Sequence, residues 1–115
     1  MDIAVEQEEI ETFAIVEQEA EFIGGKFAME QFIKTHMTYP EAAKNAGIQG
    51  TVYVQFTVNT DGTISDVKVM RGIGGGCDYE AKRVVELMSR KWKPATQQGK
   101  SIRTEMVIPV KFIIR

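Results

Sequence analysis

Strict alternation of apolar and polar residues predicts two half-buried strands in this chain. Apolar side chains occupy every second position over residues 51–58 and, with one threonine among them, from Ile102 to Ile114. A period of two places those side chains on one face of a sheet. Phe56 and Phe112 lie on the two apolar faces, so we expect both of them in the core.

A third strand, over about residues 64–71, is predicted to pair with the first in an antiparallel hairpin. The turn between them contains Gly62, which is free to adopt a positive φ. Ile64 is out of step with the inward-facing Val67 and Val69. This change of parity predicts a β-bulge or a capping role for Ile64 near the turn.

Two longer helices are predicted from apolar residues that recur every three or four positions. The first carries its apolar face from Met29 to Met37 and ends at Tyr39-Pro40, because proline pushes the preceding residue out of the helical region. A short helix then covers Pro40 to Ala46, with Gly47 as its C-terminal stop. The second long helix covers about Asp78 to Arg90. The residues expected in its buried stripe are Ala81, Val84, Val85 and Met88.

The order of helix, short helix, strand, strand, helix and strand predicts an α+β two-layer sandwich. Its three-stranded antiparallel or mixed sheet has residues 51–58 in the middle and the two main helices on one face. The last two strands flank a helix and are therefore expected to run parallel. Pro109 cannot donate to a ladder and is tolerated mainly on an edge strand, so the long final strand is expected to keep one side unpaired.

Acidic residues are concentrated before the first basic residue, Lys26. Eight of the sixteen acidic residues lie there, whereas residues 26–115 carry fourteen basic and eight acidic side chains, a net charge of 14 − 8 = +6. We interpret residues 1–25 as an acidic lead or linker, in which Phe13 to Val16 has the composition of a short strand, and residues 26–115 as the domain. The basic surface is either an ordinary solvated one or favours an anionic partner, such as cell-wall polymer or an acidic peptide.

Segments that would cross or target a membrane are not evident. No apolar run approaches the roughly 20 residues that a membrane-spanning helix needs. No secretory signal with a basic start and an apolar centre is visible. The sequence therefore predicts a soluble chain, and Met1 is either its natural start or an expression start placed before an excised fragment.

Residue types that carry catalysis or bind metals are sparse. The single cysteine, Cys77, and the single histidine, His36, lie far apart in the sequence. A nucleophilic pair of the two would lack an orienting third group and an oxyanion hole, so we expect a buried cysteine and a packed or capping histidine. The glycines of residues 72–76 lack the Gly-Lys-Ser/Thr of a phosphate loop, and Trp92 is expected to be a core anchor. The sequence predicts a binding module, not an enzyme, with no cofactor, metal or nucleic acid.

Several short sequence words occur in a fixed order between Gly25 and Arg115. They are Tyr39-Pro40-Glu41-Ala42-Ala43, Gly47-Ile48-Gln49-Gly50-Thr51-Val52, the stretch from Phe56 to Ile64, Asp66-Val67-Lys68-Val69 with Gly72, Glu80-Ala81, Trp92-Lys93-Pro94-Ala95, Gly99-Lys100 and Ile108-Pro109-Val110-Lys111-Phe112. Each word is weak alone, but the ordered series at these spacings resembles the C-terminal domain of the TonB family of energy transducers.

The resemblance implies a mechanical role in the periplasm for a protein anchored in the inner membrane. In this family an N-terminal membrane helix meets the ExbB and ExbD motor. The C-terminal domain captures the TonB box, an N-terminal peptide of outer-membrane TonB-dependent transporters, and so drives uptake of siderophores or other nutrients. The peptide is expected to add as a strand beside the last strand. The residues expected to contact it are His36, Met37, Thr38, Arg103, Glu105, Val107, Lys111 and Ile113.

Two other functions stay open at the level of sequence. One is a TolA-like envelope scaffold or a peptidoglycan-binding module with a similar small fold. The other is an enzyme with Cys77 as its nucleophile. The sequence is compatible with a monomer and with a strand-swapped homodimer.

Overall fold

Residues 17–115 are described by the computed structural model of the chain, and they form seven strands and three helices. The strands are β1 Glu21–Phe22, β2 Gly50–Val58, β3 Ile64–Arg71, β4 Trp92–Lys93, β5 Ala95–Gln97, β6 Lys100–Ile102 and β7 Thr104–Phe112. The helices are α1 Gly25–His36, α2 Glu41–Asn45 and α3 Cys77–Glu86. Among these helices of residues 17–115, none combines the length and the apolar character that crossing a bilayer requires.

The central sheet has the strand order β3-β2-β7, and β2 is antiparallel to both neighbours. β3 and β7 therefore run in the same direction on opposite sides of β2, as predicted from the helix between them. The apolar faces of β2 and β7 form the floor of the core. Its buried members are Val52, Val54, Phe56, Val58, Ile108, Val110 and Phe112. The predicted α+β fold with residues 51–58 in the middle strand is confirmed.

Helix α3 covers this floor, and α1 packs beside α3 and β1. The stripe predicted for the second long helix is completely buried: Ala81, Val84 and Val85 lie in α3, and Met88 lies two residues beyond its end. An aromatic cluster connects α1 to the sheet. The ring centroid of Phe22 lies 5.8 Å from that of Phe32 and 5.7 Å from that of Trp92, and the Trp92 ring lies 5.2 Å from Phe56. Trp92 is a core anchor, as predicted.

The turn between β2 and β3 packs against the chain that follows α3. Gly62 adopts a φ of 85°. A Cβ atom at this position would lie 2.6 Å from the carbonyl oxygen of Trp92, so no larger residue fits. The irregularity predicted near Ile64 is also present, because Asp66 adopts a φ of 53° and the β2–β3 register shifts between Gln55 and Thr57, which pair with Lys68 and Ser65.

The predicted second long helix and final strand are both too long. α3 ends at Glu86 rather than near Arg90, since Arg90 adopts a φ of 75° and donates its N–H to the Gly62 carbonyl at 2.9 Å. The strand predicted from Ile102 to Ile114 is divided at Arg103. β6 pairs with β5 before this point, and β7 pairs with β2 after it. A change of partner along one strand is a tertiary event that alternation alone does not encode.

The end of the acidic lead lies along β4 and β5. The N–H of Ile23 donates to the Lys91 carbonyl at 2.9 Å, and the N–H of Thr96 donates to the Gln18 carbonyl at 3.0 Å. Ala20 and Phe22 are buried, so this end of the lead contributes to the core. The division of the chain at residue 25 stays a prediction, and residues 13–16 lie outside the described residues.

Candidate functional site

Strand β7 lies at the edge of the central sheet. One side pairs with β2 in an unbroken register from Gly50↔Phe112 to Val58↔Thr104. No strand within residues 17–115 pairs with the other side of β7. A free strand edge presents a row of unpaired N–H and C=O groups, which is a template for the addition of another strand.

Pro109 shows which backbone groups of β7 face the free edge. It pairs with Tyr53 inside the unbroken register, although proline has no N–H to donate. This requires a non-hydrogen-bonded pair with β2, in which the proline nitrogen is directed at the free edge. The backbone groups of the same parity, at Glu105, Val107 and Lys111, therefore point away from β2. Their N–H and C=O groups are available to a partner strand.

The side chains of these three residues lie on the sheet face that the helices leave uncovered. Glu105, Val107 and Lys111 are all exposed, whereas the residues of opposite parity turn inward. Val107 is 52% exposed and sits opposite Gln55 on β2. The edge therefore offers an acidic, an apolar and a basic side chain in succession. We expect main-chain bonds to dominate the recognition of a strand laid along this edge.

Arg103 and Ile113 flank β7 rather than belonging to it. The Nε–H of Arg103 donates to the Asn59 Oδ1 atom at 3.0 Å, and its guanidinium lies 3.8 Å from the Asp66 carboxylate, so this side chain contacts the β2–β3 turn and the start of β3. Ile113 is 53% exposed just beyond the strand. Their contact with a partner stays a prediction, and the strand edge itself is confined to Thr104–Phe112.

The segment His36–Thr38 is fixed by α3. The N–H of Thr38 donates to the Glu80 Oε2 atom at 2.7 Å. The Nη2 group of Arg83 donates to the His36 carbonyl at 2.8 Å. Neither Glu80 nor Arg83 is among the residues that the sequence predicts to contact a partner. The spacing of three residues between this acid and this base was a local signal for their pairing. The bond from Thr38 to Glu80 spans 42 residues, and no local pattern in the sequence indicates it.

Tyr39 connects this segment to the C-terminal end of β7. Its ring meets the ring of Phe112 edge-on, with 5.5 Å between the centroids. Its hydroxyl donates to the carbonyl of Ile48, just before β2. The structure thus places His36–Thr38 one residue from a contact with β7, at the Phe112 end of the strand.

The carboxylate of Glu80 is paired with Arg83 inside the domain. Its residue is only 9% exposed, and Arg83 donates to it twice, from Nε to Oε1 at 2.9 Å and from Nη2 to Oε2 at 2.7 Å. The side-chain hydrogen bonds from Arg83 lower the pKa of Glu80; burial opposes them, and the Thr38 N–H adds to the lowering. Charge-assisted bonds of this kind are short and strong.

This lowered pKa predicts acid sensitivity. The folded-state pKa of Glu80 lies below the unfolded value of about 4.3, so the pair stabilises the domain above that pH and its contribution is lost as the pH falls through the folded-state pKa. We expect Glu80→Gln to flatten the acid limb of unfolding free energy against pH, measured by urea melts. Hydrogen bonds from Thr63 also lower the pKa of Asp61. Asp61→Asn is therefore the matched comparison, since it too removes a carboxylate whose pKa is lowered by hydrogen bonds. An acid limb for Glu80→Gln parallel to that of the wild type would contradict this reading.

Cys77 and His36 make contacts in different parts of the domain and do not form a pair. Cys77 is completely buried at the start of α3. The exposed His36 ring stacks on Phe32 at a centroid distance of 4.0 Å, and its Nδ1 atom lies 2.9 Å from the Phe32 carbonyl oxygen. Burial raises the pKa of the Cys77 thiol, and the charge of Asp78 raises it further. A buried thiol with a raised pKa is a poor nucleophile, which disfavours the alternative of a cysteine enzyme.

Cys77 is expected to resist alkylation in the folded domain. Iodoacetamide at pH 8 should modify it far more slowly in buffer than in denaturing urea, because modification requires both exposure and a thiolate. The urea reaction is the control for reagent quality. Equal rates in the two conditions, followed by mass spectrometry, would show that the thiol is accessible.

Sequence comparison places this edge within a known family. The family model described as the C-terminal of the Gram-negative bacterial TonB protein matches residues 35–114, which include α3, β7 and the segment His36–Thr38. The chain belongs to the TonB C-terminal family. This is a family of periplasmic transducer domains.

Relatives of known sequence and structure agree with this TonB assignment. Protein TonB from Helicobacter pylori strains J99 and 26695 is 44% identical over 39 residues, a match that spans 34% of this chain and 14% of the relative. The solution structure of residues 194–285 of Helicobacter pylori TonB matches with a TM-score of 0.61 at 25% identity, covering 76% of this chain and 90% of that one. A longer fragment, 179–285, gives a TM-score of 0.62 at 25% identity, with 76% and 78% coverage.

Proposed function

We propose that this TonB-type domain binds the TonB box of outer-membrane transporters by strand addition to the free edge of β7. The observation that carries the proposal is the edge itself, with β2 on one side and outward backbone groups at Glu105, Val107 and Lys111 on the other. Main-chain hydrogen bonds recognise an extended peptide while tolerating varied side chains. One such edge therefore suits a domain that serves several transporters.

The strongest pairing is expected on the N-terminal half of β7. Pro109 removes one donor from the free edge, whereas the N–H groups of Glu105 and Val107 are intact. The opposite end of the strand lies near Tyr39 and the segment His36–Thr38. We propose that this segment contacts the transporter or the far end of its peptide there.

The role in this proposal is mechanical and requires no catalytic group or cofactor. In the full-length protein, an N-terminal helix in the inner membrane would connect the domain to ExbB and ExbD, and a pull on the domain would pass into the transporter through the added strand. The burial of Cys77 disfavours this thiol as a nucleophile. The energy so delivered would open the transporter for import of its nutrient.

Titration with a synthetic TonB box peptide, followed by amide-resolved NMR, tests the docking edge. We expect the shifts to cluster on Glu105, Val107 and Lys111 and on the segment His36–Thr38. Affinity should be weak, because the extended peptide loses conformational freedom on binding. The same peptide carrying N-methyl groups at alternate amides is the control, since it cannot form the ladder.

Two results would count against the proposal. Shifts that cluster on β3, the other edge of the central sheet, would place the peptide on the wrong strand. The absence of shifts at millimolar peptide would leave no support for strand addition. A pull-down with purified peptidoglycan in the same buffer distinguishes docking of transporters from a scaffold role in the cell wall.

A further inference from the structure

One ion pair on α3 holds the backbone on both sides of Met37. The Glu80 carboxylate accepts the N–H of Thr38, and the Arg83 guanidinium donates to the carbonyl of His36. The N–H of Met37 itself donates to the Ile33 carbonyl at 2.9 Å and closes the last turn of α1. Three consecutive residues are thus held by α1 and α3 together, at the point where the chain leaves the helix.

The carboxylate of Glu80 is committed to this arrangement. Both of its oxygens accept hydrogen bonds, and the side chain is 11% exposed. A buried carboxylate is tolerated only when it is paired and hydrogen-bonded. Replacing it with a neutral amide would remove the ion pair and one of the two oxygens that accept from Arg83, and so weaken the hold on His36 and Thr38 together.

The held segment is rigidly connected to the end of β7. Tyr39 follows Thr38 directly, and its ring and hydroxyl are fixed by Phe112 and Ile48. Phe112 pairs with Gly50 as the last residue pair of the β2–β7 ladder. The ion pair, the segment and the strand end therefore form one continuous support, while the side chains of His36 and Thr38 stay exposed.

We propose that Glu80, acting through Arg83, is a positioning residue for docking: it holds the backbone of His36–Thr38 in the conformation that meets a peptide added to β7. This inference rests on the proposed function. A contact surface that is fixed beforehand binds more tightly because less conformational freedom is lost on association. Glu80 contributes to affinity in this way without contacting the peptide.

The test compares three variants for binding of the TonB box peptide and for stability. Glu80→Gln keeps the shape and an acceptor for Thr38 but removes the charge that Arg83 needs. Arg83→Lys keeps the charge but removes the forked bond to Glu80 and the Nη2 donor to the His36 carbonyl. Val85→Ala, on the same helix, removes a completely buried side chain that faces the sheet and leaves the ion pair intact. Each is assayed by NMR titration and by urea melts.

We expect Glu80→Gln and Arg83→Lys to weaken peptide binding by about tenfold and to move the Thr38 amide resonance of the free domain. Val85→Ala should keep the peptide affinity of the folded domain within about twofold of that of the wild type. It should nevertheless lower the unfolding free energy by at least as much as the two ion-pair variants do. If the wild type binds the peptide and both ion-pair variants bind it with the same affinity, Glu80 has no positioning role. That result would not contradict docking on the edge of β7. Failure of the wild type to bind would overturn the proposed function and this inference together.

Discussion

Truncation of Phe112 to alanine is expected to lower the unfolding free energy by about 3–5 kcal/mol, the usual range for a buried phenylalanine. Phe112 is completely buried at the end of β7, and its ring packs against Tyr39. The substitution removes the apolar surface and leaves a cavity that the end of a paired strand cannot close. Since small domains are stable by only about 5–15 kcal/mol, the variant should lose a large part of its stability. Urea melts followed by circular dichroism measure the loss.

The neighbouring residue supplies the control for this result. Ile113 is 53% exposed and lies beyond the last residue of β7. Ile113→Ala should change the unfolding free energy by no more than about 0.5 kcal/mol, as surface substitutions usually do. A loss of less than about 1 kcal/mol for Phe112→Ala, or equal losses for the two variants, would mean that the core is assigned to the wrong face of β7.

The strands of the core were predictable because their pattern is local. Alternation identified the buried faces of β2 and β7, including Phe56 and Phe112, and both are completely buried. Pro40 and Gly47 correctly bounded the short helix, with Pro40 at its N-cap and Gly47 at a φ of 70°. Proline and glycine restrict or extend the backbone angles of their own position, so their effect can be predicted from the sequence alone.

The errors arose where a contact distant in sequence decides the structure. α3 stops early because Arg90 bonds to Gly62 in the β2–β3 turn. The final strand divides at Arg103 because its partner changes from β5 to β2. Neither event leaves a periodic signal in the residues that it affects, so propensity and alternation both overestimate the element.

The candidate site shows the same division between local chemistry and distant contact. The free edge of β7 was predictable from Pro109, because a missing N–H restricts a strand wherever it occurs. The support beneath His36–Thr38 was not, because Glu80 reaches Thr38 across 42 residues. Helix α3, predicted as a packing element alone, is thus also the support of the segment that the family resemblance assigned to the partner.

The substitution Val107→Pro is expected to abolish docking on β7 and leave the domain folded. The N–H of Val107 has the same parity as the nitrogen of Pro109, so it points away from β2 and has no role in the β2–β7 ladder. A proline there removes the central donor of the free edge and places a ring where the added strand must lie. We expect peptide affinity to fall by at least about tenfold. The unfolding free energy should change little, because proline also restricts the unfolded chain.

Two further variants of the domain serve as controls for this expectation. Val107→Thr keeps the N–H and the β-branched shape, so NMR titration should give nearly wild-type affinity. Ile108→Pro removes a donor of the opposite parity, which points into the ladder with β2, and should unfold the domain rather than merely block the peptide. If Val107→Pro binds as well as the wild type, the peptide does not use the free edge of β7. If Val107→Pro unfolds while Ile108→Pro does not, the parity inferred from Pro109 is reversed.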